Sequence, residues 1–444
     1  MSELLLANAR VVNEGRIAET DVLVRGERIE RVGTGPVPTG AEVIDLGGRY
    51  LLPGLIDDQV HCREPGLTHK ATLASESLAA VCGGVTSFLD MPNTSPPTVD
   101  RAALAEKQRI AAATCHTNWG FYIGATNTNL EELKRAGPAD ACGIKVFMGA
   151  STGNMLVDDP HILEAIFAGA NLPVVTHCED SPMIWEAEKR FRERYGENVP
   201  MSAHPEIRSA EACYKSSSLA VSLAKRHGTR LHVLHLSTAR ELALFEAGPM
   251  ASKKITAEVC VHHLWFDDSD YADLGSRIKC NPAIKTRADR EALRAGVCDG
   301  RIDVIATDHA PHTLEEKARS YFQAPSGLPL VQHSLLMLLD QHRAGIFDLE
   351  TIVEKAAHNP ASLFGIVDRG FIREGYFADL VAVDLAGSTL VTPDQVRYKC
   401  AWSPLEGARL RASVLTTIVN GRVVYQAGEP TAVRAAQPLR FRGE

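Results

Sequence analysis

The chain has 444 residues, of which 45% are apolar and 23% charged, and carries a formal net charge of -8. That is the composition of a soluble globular protein with a large core, and its negative balance argues against the clustered basic face that nucleic-acid binding needs. No apolar run approaches the ~20 residues that span a bilayer. The opening Met1-Ser2-Glu3, followed by Leu4 to Leu6, has neither the basic start nor the apolar stretch of a secretory signal. A cytoplasmic protein is therefore expected, with neither nucleic acid nor membrane as partner. The ten cysteines form no Cys-x-x-Cys pair and read as scattered free thiols.

In chain order, the first 50 residues alternate with the period of half-buried strands: a run over 4–12, then a hairpin within 21–32 that turns at Gly26. Gly47-Gly48 and Pro53-Gly54 then punctuate the chain. Its middle alternates short apolar runs with longer helical patterns. Strands are predicted at 55–60, 85–91, 118–123, 143–148, 173–177, 230–236, 255–260 and 303–308, with helices such as 70–81, 101–113 and 209–226 between them. Strand-helix alternation repeated eight times is the pattern of a (β/α)8 TIM barrel. Strand character returns at 380–384 and 414–419, where Asn420-Gly421 is a strong hairpin signal before 423–425. The expected architecture is α/β: residues 1–53 and 365–444 together form a small β-sandwich, and residues 54–364 form the barrel. The Arg-rich end from Arg434 reads as a solvated tail.

In such a barrel the active site sits at the C-terminal ends of the strands. Strand one ends Asp57-Asp58-Gln59-Val60-His61, strand four carries Lys145, and strand five ends in His177. Strand six carries His232 and His235, and strand eight ends Thr307-Asp308-His309. A metal explains imidazoles and a carboxylate arriving together on one rim. They suit zinc, and an aspartate beside it can serve as general base and then general acid. His232 lies three residues from His235, so on a strand the two point oppositely; His235 is assigned to the metal and His232 to packing or to supporting a metal ligand. Lys145 lies in the apolar run Gly143 to Met148, where a lysine is costly unless paired with a carboxylate or chemically altered by CO2. His262-His263, just past strand seven, read as structural. Glu179 and Asp180 read as orienting or capping residues.

At these residues the chain resembles the cyclic amidohydrolases: dihydroorotases, allantoinases and hydantoinases. The resemblance runs from the N-terminal β segment to Ala378-Asp379-Leu380-Val381. It implies a carbamylated lysine at Lys145, metal ligands at His61, His177, His235 and Asp308, and a catalytic role for Asp308. In His61-Cys62-Arg63-Glu64-Pro65-Gly66, Arg63 is what a dihydroorotase carries, whereas allantoinases usually show asparagine. A guanidinium grips a carboxylate such as that of dihydroorotate. Asn93, Asn281 and His312 match the family's remaining substrate contacts, and Ala324-Pro325-Ser326-Gly327 resembles a backbone contact loop. The family pattern at the end of strand one is His-x-His, and here it is Gln59-Val60-His61. Gln59 points the same way as His61, and an amide is the poorer zinc ligand. One firmly held zinc is therefore expected among Lys145, His177 and His235, with the second site, near His61 and Asp308, weakened.

The resemblance implies a dihydroorotase of de novo pyrimidine biosynthesis that interconverts dihydroorotate and N-carbamoyl-L-aspartate, as a homodimer. Its competitors are an allantoinase or hydantoinase, and an inactive dihydroorotase-like scaffold subunit of aspartate transcarbamoylase.

Overall fold

A computed structural model of the chain describes residues 2–149 and 155–443. Among these, eight parallel strands close into a barrel. They are Leu55–Val60, Val85–Asp90, Asn118–Phe121 with Ile123–Gly124, Ile144–Phe147, Val174–His177, Leu231–Val233, Ile255–Cys260 and Val304–Ala306. The third is interrupted at Tyr122, whose hydroxyl donates to Asp58 O across the interior at 2.8 Å. Closure runs through Val60 and His309, where His61 N donates to His309 O at 2.7 Å. With helices outside and side chains filling the inside, both strand faces are buried, which is why the strands read as near-continuous apolar runs.

The helices predicted from sequence appear as Leu73–Cys82, Arg101–Thr114 and Ala210–His227. The first starts later than its periodicity suggests, because Thr72 caps it by accepting from Ser75 N at 3.1 Å. The turn before that cap brings Lys70 to the rim of the barrel, where it meets His312.

The two ends of the chain pair into one nine-stranded sheet. Tyr50–Pro53 pairs antiparallel with Leu380–Asp384, joining the N-terminal strands to the C-terminal ones. Both predicted hairpins form. Gly26 turns Arg16–Arg25 into Arg28–Val32, and Asn420-Gly421, both at positive φ (48° and 72°), turns Ser413–Val419 into Arg422–Gln426. The end of the chain is not a solvated tail. Leu439 N donates to Trp119 O at 2.8 Å, and Phe441 bridges to Ile366. The physical reason is an alternation that the arginines obscure: Leu439 packs against the barrel while Arg440 and Arg442 flank it.

A buried polar junction ties sheet to barrel. Asp379 accepts from Asn420 N at 2.8 Å and Asn118 Nδ2 at 3.1 Å, and pairs with the Arg369 guanidinium. Replacing Asp379 by alanine leaves that guanidinium buried and unpaired. The expected cost is about 3–5 kcal/mol of stability, measurable by urea unfolding.

Candidate active site

A cavity opens at the C-terminal rim of the barrel, lined among others by Gln59, His61, Arg63, Asn93, Lys145, His177, His235, Asn281 and Asp308. Eight of the nine residues singled out from the sequence therefore meet in one place. The ninth, His312, lies behind Arg63 and outside the lining. Three of these residues sit where L-residues rarely do: Arg63, His235 and Asp308 have φ of 63°, 39° and 44°. Such conformations cost on the order of 1–3 kcal/mol each and cluster at functional sites. Gly327, at φ +137°, closes one wall; a Cβ there would lie 2.5 Å from Ala310 O.

The nitrogen donors converge in two groups. His177 Nδ1 and His235 Nε2 lie 2.9 Å apart, beside Lys145. Behind His177, Glu179 Oε2 sits 3.1 Å from Nε2 and is itself held by Arg208. A carboxylate there directs the ring's Nδ1 lone pair into the cavity, the usual support for a metal-binding imidazole. Asp180 caps the helix Ser181–Tyr195. In the second group, Asp308 Oδ1 faces His61 Nε2 and Gln59 Nε2, each at 3.0 Å. His61 Nδ1 lies 2.7 Å from Asn93 Oδ1, an acceptor, so the ring proton is on Nδ1 and the Nε2 lone pair faces a carboxylate. A lone pair opposite an anion fits a cation between them.

Electrostatics agree with that fit. Burial pushes His61, His177 and His235 below the ordinary histidine value, so all three present neutral rings, the metal-binding form. Burial also lowers the Lys145 amine to about 8, against the opposing pull of Asp308 and Glu258. For Glu179, burial acts upward, but Arg208 and His177 outweigh it and bring the carboxyl down to about 2.

Arg63 is a buried part of the same cavity lining. Its Nε donates to Pro311 O at 3.2 Å, and Nη2 lies 3.1 Å from His312 Nε2. The second contact is not a satisfied hydrogen bond. The Lys70 ammonium, 3.0 Å from His312 Nδ1, can only donate, so Nδ1 accepts. The proton is then on Nε2, which donates to Ser326 O at 3.0 Å and has no lone pair to offer Arg63. Among the described residues no carboxylate is in ion-pair contact with Arg63, and Glu64 instead accepts from Leu73 N. The arrangement leaves a buried guanidinium aimed at the cavity with part of its donor capacity unused.

Sequence reasoning missed several residues. A bulge between Asp57 and Val60 breaks the in-out alternation of strand one. Asp57 turns to Thr307, just past strand eight, accepting from its hydroxyl at 2.6 Å, while Asp58 and Gln59 both reach the interior. His232 and His235 do not point oppositely as strand alternation predicts: the strand stops at Val233, the backbone turns at His235, and both rings enter the interior at different depths. His262 and His263 lie together in the helix Val261–Trp265, with ring centroids 4.3 Å apart near Cys260. His204, without a readable pattern in the sequence, bridges Tyr321 Oη and Cys280 O, each at 2.7 Å. His309 anchors the loop after Asp308 through Glu76, at 2.7 Å.

Comparison with known proteins gives the family. Residues 50–424 match the amidohydrolase family. The chain is 36% identical over 429 residues to the dihydroorotase of Halobacterium salinarum, covering 95% of this chain and 96% of the relative. With the dihydroorotase of Bacillus cytotoxicus the identity is 33% over 436 residues, covering 95% and 98%. Among solved structures, the L-hydantoinase (dihydropyrimidinase) of Arthrobacter aurescens superposes with a TM-score of 0.94 at 28% identity, covering 99% of this chain and 100% of that one. No helix among the described residues is long and apolar enough to cross a membrane. The chain belongs to the amidohydrolase family, and within it to the enzymes that hydrolyse cyclic amides.

Proposed function

We propose that this enzyme is a zinc-dependent dihydroorotase, reversibly hydrolysing dihydroorotate to N-carbamoyl-L-aspartate in pyrimidine biosynthesis. The observation that carries this reading is Arg63: a buried guanidinium with unused donors, in the same cavity as the metal-type ligands. A ring that bears a carboxylate supplies the missing anion, and the fork of a guanidinium suits it.

Zinc, when bound, supplies a Lewis acid for the ring amide carbonyl and acidifies the attacking water. Asp308 takes a proton from that water and returns it to the leaving ring nitrogen. The lowered Lys145 amine reacts with CO2 in its neutral form, and carbamylation turns a buried cation into an anionic ligand in the cavity that holds His177 and His235. Asn93 and Asn281 supply polar contacts to the ring, and His312 holds the Arg63 side of the cavity. One zinc is expected at Lys145, His177 and His235. Between His61 and Asp308 the Gln59 amide spends its NH2 on Asp308 Oδ1, where the family's second imidazole would offer a lone pair, and that place is weakened.

The likeness to an L-hydantoinase favours a second reading, the same chemistry on a ring without a carboxylate. Turnover of dihydroorotate, hydantoin and allantoin by one preparation separates them. Dihydroorotate is expected to be favoured at least about 100-fold in kcat/KM, roughly 2.7 kcal/mol of discrimination; comparable or better hydantoin turnover overturns the assignment. Anomalous scattering from crystals grown with zinc should show a peak at Lys145–His177–His235 and little between His61 and Asp308, and Gln59→His should strengthen the second.

A further inference from the structure

We propose that the interior of the barrel, beneath the candidate active site, binds a second kind of metal centre: a divalent first-row transition ion held by Asp58, His232 Nε2 and Glu258 Oε2. The three residues come from strands one, six and seven, and all are fully buried. Their ligand atoms lie within 4.8 Å of one another. His232 Nε2 is 3.3 Å from Asp58 Oδ2 and 3.8 Å from Glu258 Oε2. Atoms that share an ion at about 2.0–2.2 Å are at most ~4.4 Å apart, so both separations suit a common ion.

The direction of each lone pair points to a cation. Thr256 has one hydroxyl proton and spends it on Leu231 O, at 3.2 Å. It must therefore accept from His232 Nδ1, at 2.8 Å. In the neutral ring, Nε2 then carries the lone pair, and it faces two carboxylates. None of Asp58 Oδ1, Asp58 Oδ2, His232 Nε2 and Glu258 Oε2 has a hydrogen-bond partner. The other Glu258 oxygen is occupied: Oε1 accepts from His235 N at 2.9 Å. The orphaned atoms are those that face one another, and a buried polar atom left bare is destabilising.

The charge of the site suits one divalent ion. Two carboxylates and a neutral imidazole carry -2, which one divalent ion balances. Without an ion, protons hold the place: against the effect of burial, Asp58 and Glu258 lift the His232 imidazole to about 9, and burial beside Asp58 lifts the Glu258 carboxyl to about 8, so an ion entering here displaces both protons. No arginine or lysine among the described residues is in ion-pair contact with Asp58 or Glu258. One imidazole with two carboxylates is a donor set for zinc, manganese or ferrous iron rather than for magnesium or calcium. The centre is also coupled to the rim. Glu258 bonds the ion through one oxygen and, through the other, fixes the backbone of His235 at its strained φ of 39°.

Crystals of the full chain grown with 1 mM zinc or manganese, measured on both sides of the metal absorption edge, give the direct test. An anomalous peak among Asp58, His232 and Glu258, separate from any peak at the rim, is the expected result. No peak there with either ion overturns the proposal, whatever the rim shows. In solution, Asp58→Asn should lose one metal equivalent on dialysis relative to the unsubstituted protein; equal metal content in the two also overturns it. If the variant does not fold, the crystal measurement on the unsubstituted chain decides alone.

Discussion

Replacing Lys145 by alanine will lower kcat/KM on the order of 10³-fold, and acetate or propionate at tens of millimolar will restore part of it. The size comes from losing an anionic ligand: about 4 kcal/mol of transition-state stabilisation disappears when the catalytic metal is no longer held. The rescue comes from the chemistry of the lysine. Burial has lowered its amine to about 8, so roughly a quarter is neutral at pH 7.5 and able to add CO2. The carbamate so formed is, to a metal, a carboxylate on a long arm. Alanine vacates that arm within the cavity, and a small free carboxylate can take its place. A lysine that acted as an ion-paired cation predicts the reverse, rescue by a small amine and none by a carboxylate. Loss of fold does not confuse the result. A lowered lysine pKa means that the folded chain disfavours the charged amine, so its removal does not take away a stabilising charge. Metal content and activity measured together on the variant, with and without acetate, distinguish the cases.

The parts of this site legible in the sequence are those governed by simple geometry. Residues at the C-terminal ends of barrel strands share a rim, so His61, Lys145, His177, His235 and Asp308 group together on strand order alone, and the cavity contains them all. Parity on strand one correctly pairs Gln59 with His61. The features that escape depend on breaks in regularity. A bulge moves Asp58 inward, and a strand ending three residues early brings His232 and His235 into the same interior. Neither break has a glycine or proline to mark it. Alternation at Leu439 and Phe441 is hidden among arginines, which is why the end of the chain reads as solvated although it packs on the barrel. The position of His312 is also beyond the motif. Only the three-way arrangement of Lys70, Ser326 and Arg63 around its ring shows it supporting the guanidinium's side of the cavity instead of lining the cavity itself.

Replacing Arg63 by methionine will separate the two substrate readings. For dihydroorotate we expect kcat/KM to fall about 10²–10³-fold, the effect of losing a charge-assisted, desolvated guanidinium–carboxylate contact worth roughly 3–4 kcal/mol. For hydantoin, which carries no carboxylate, the change should stay within about threefold. Methionine approximates the length of the arginine stem and meets the same backbone demand, since both are L-residues at a φ of 63°. The partners it abandons are not left in difficulty. His312 keeps its bonds to Lys70 and Ser326, and only Pro311 O loses a donor, at the edge of a cavity that water can enter. Arg63→Lys serves as the companion: it keeps the charge but not the planar fork, and should fall between the parent and methionine on dihydroorotate alone. If methionine slows both substrates equally, Arg63 is shaping the cavity rather than reading a carboxylate, and the hydantoinase reading becomes the better one. If it slows dihydroorotate alone, the unused donors of one buried side chain account for the choice of substrate.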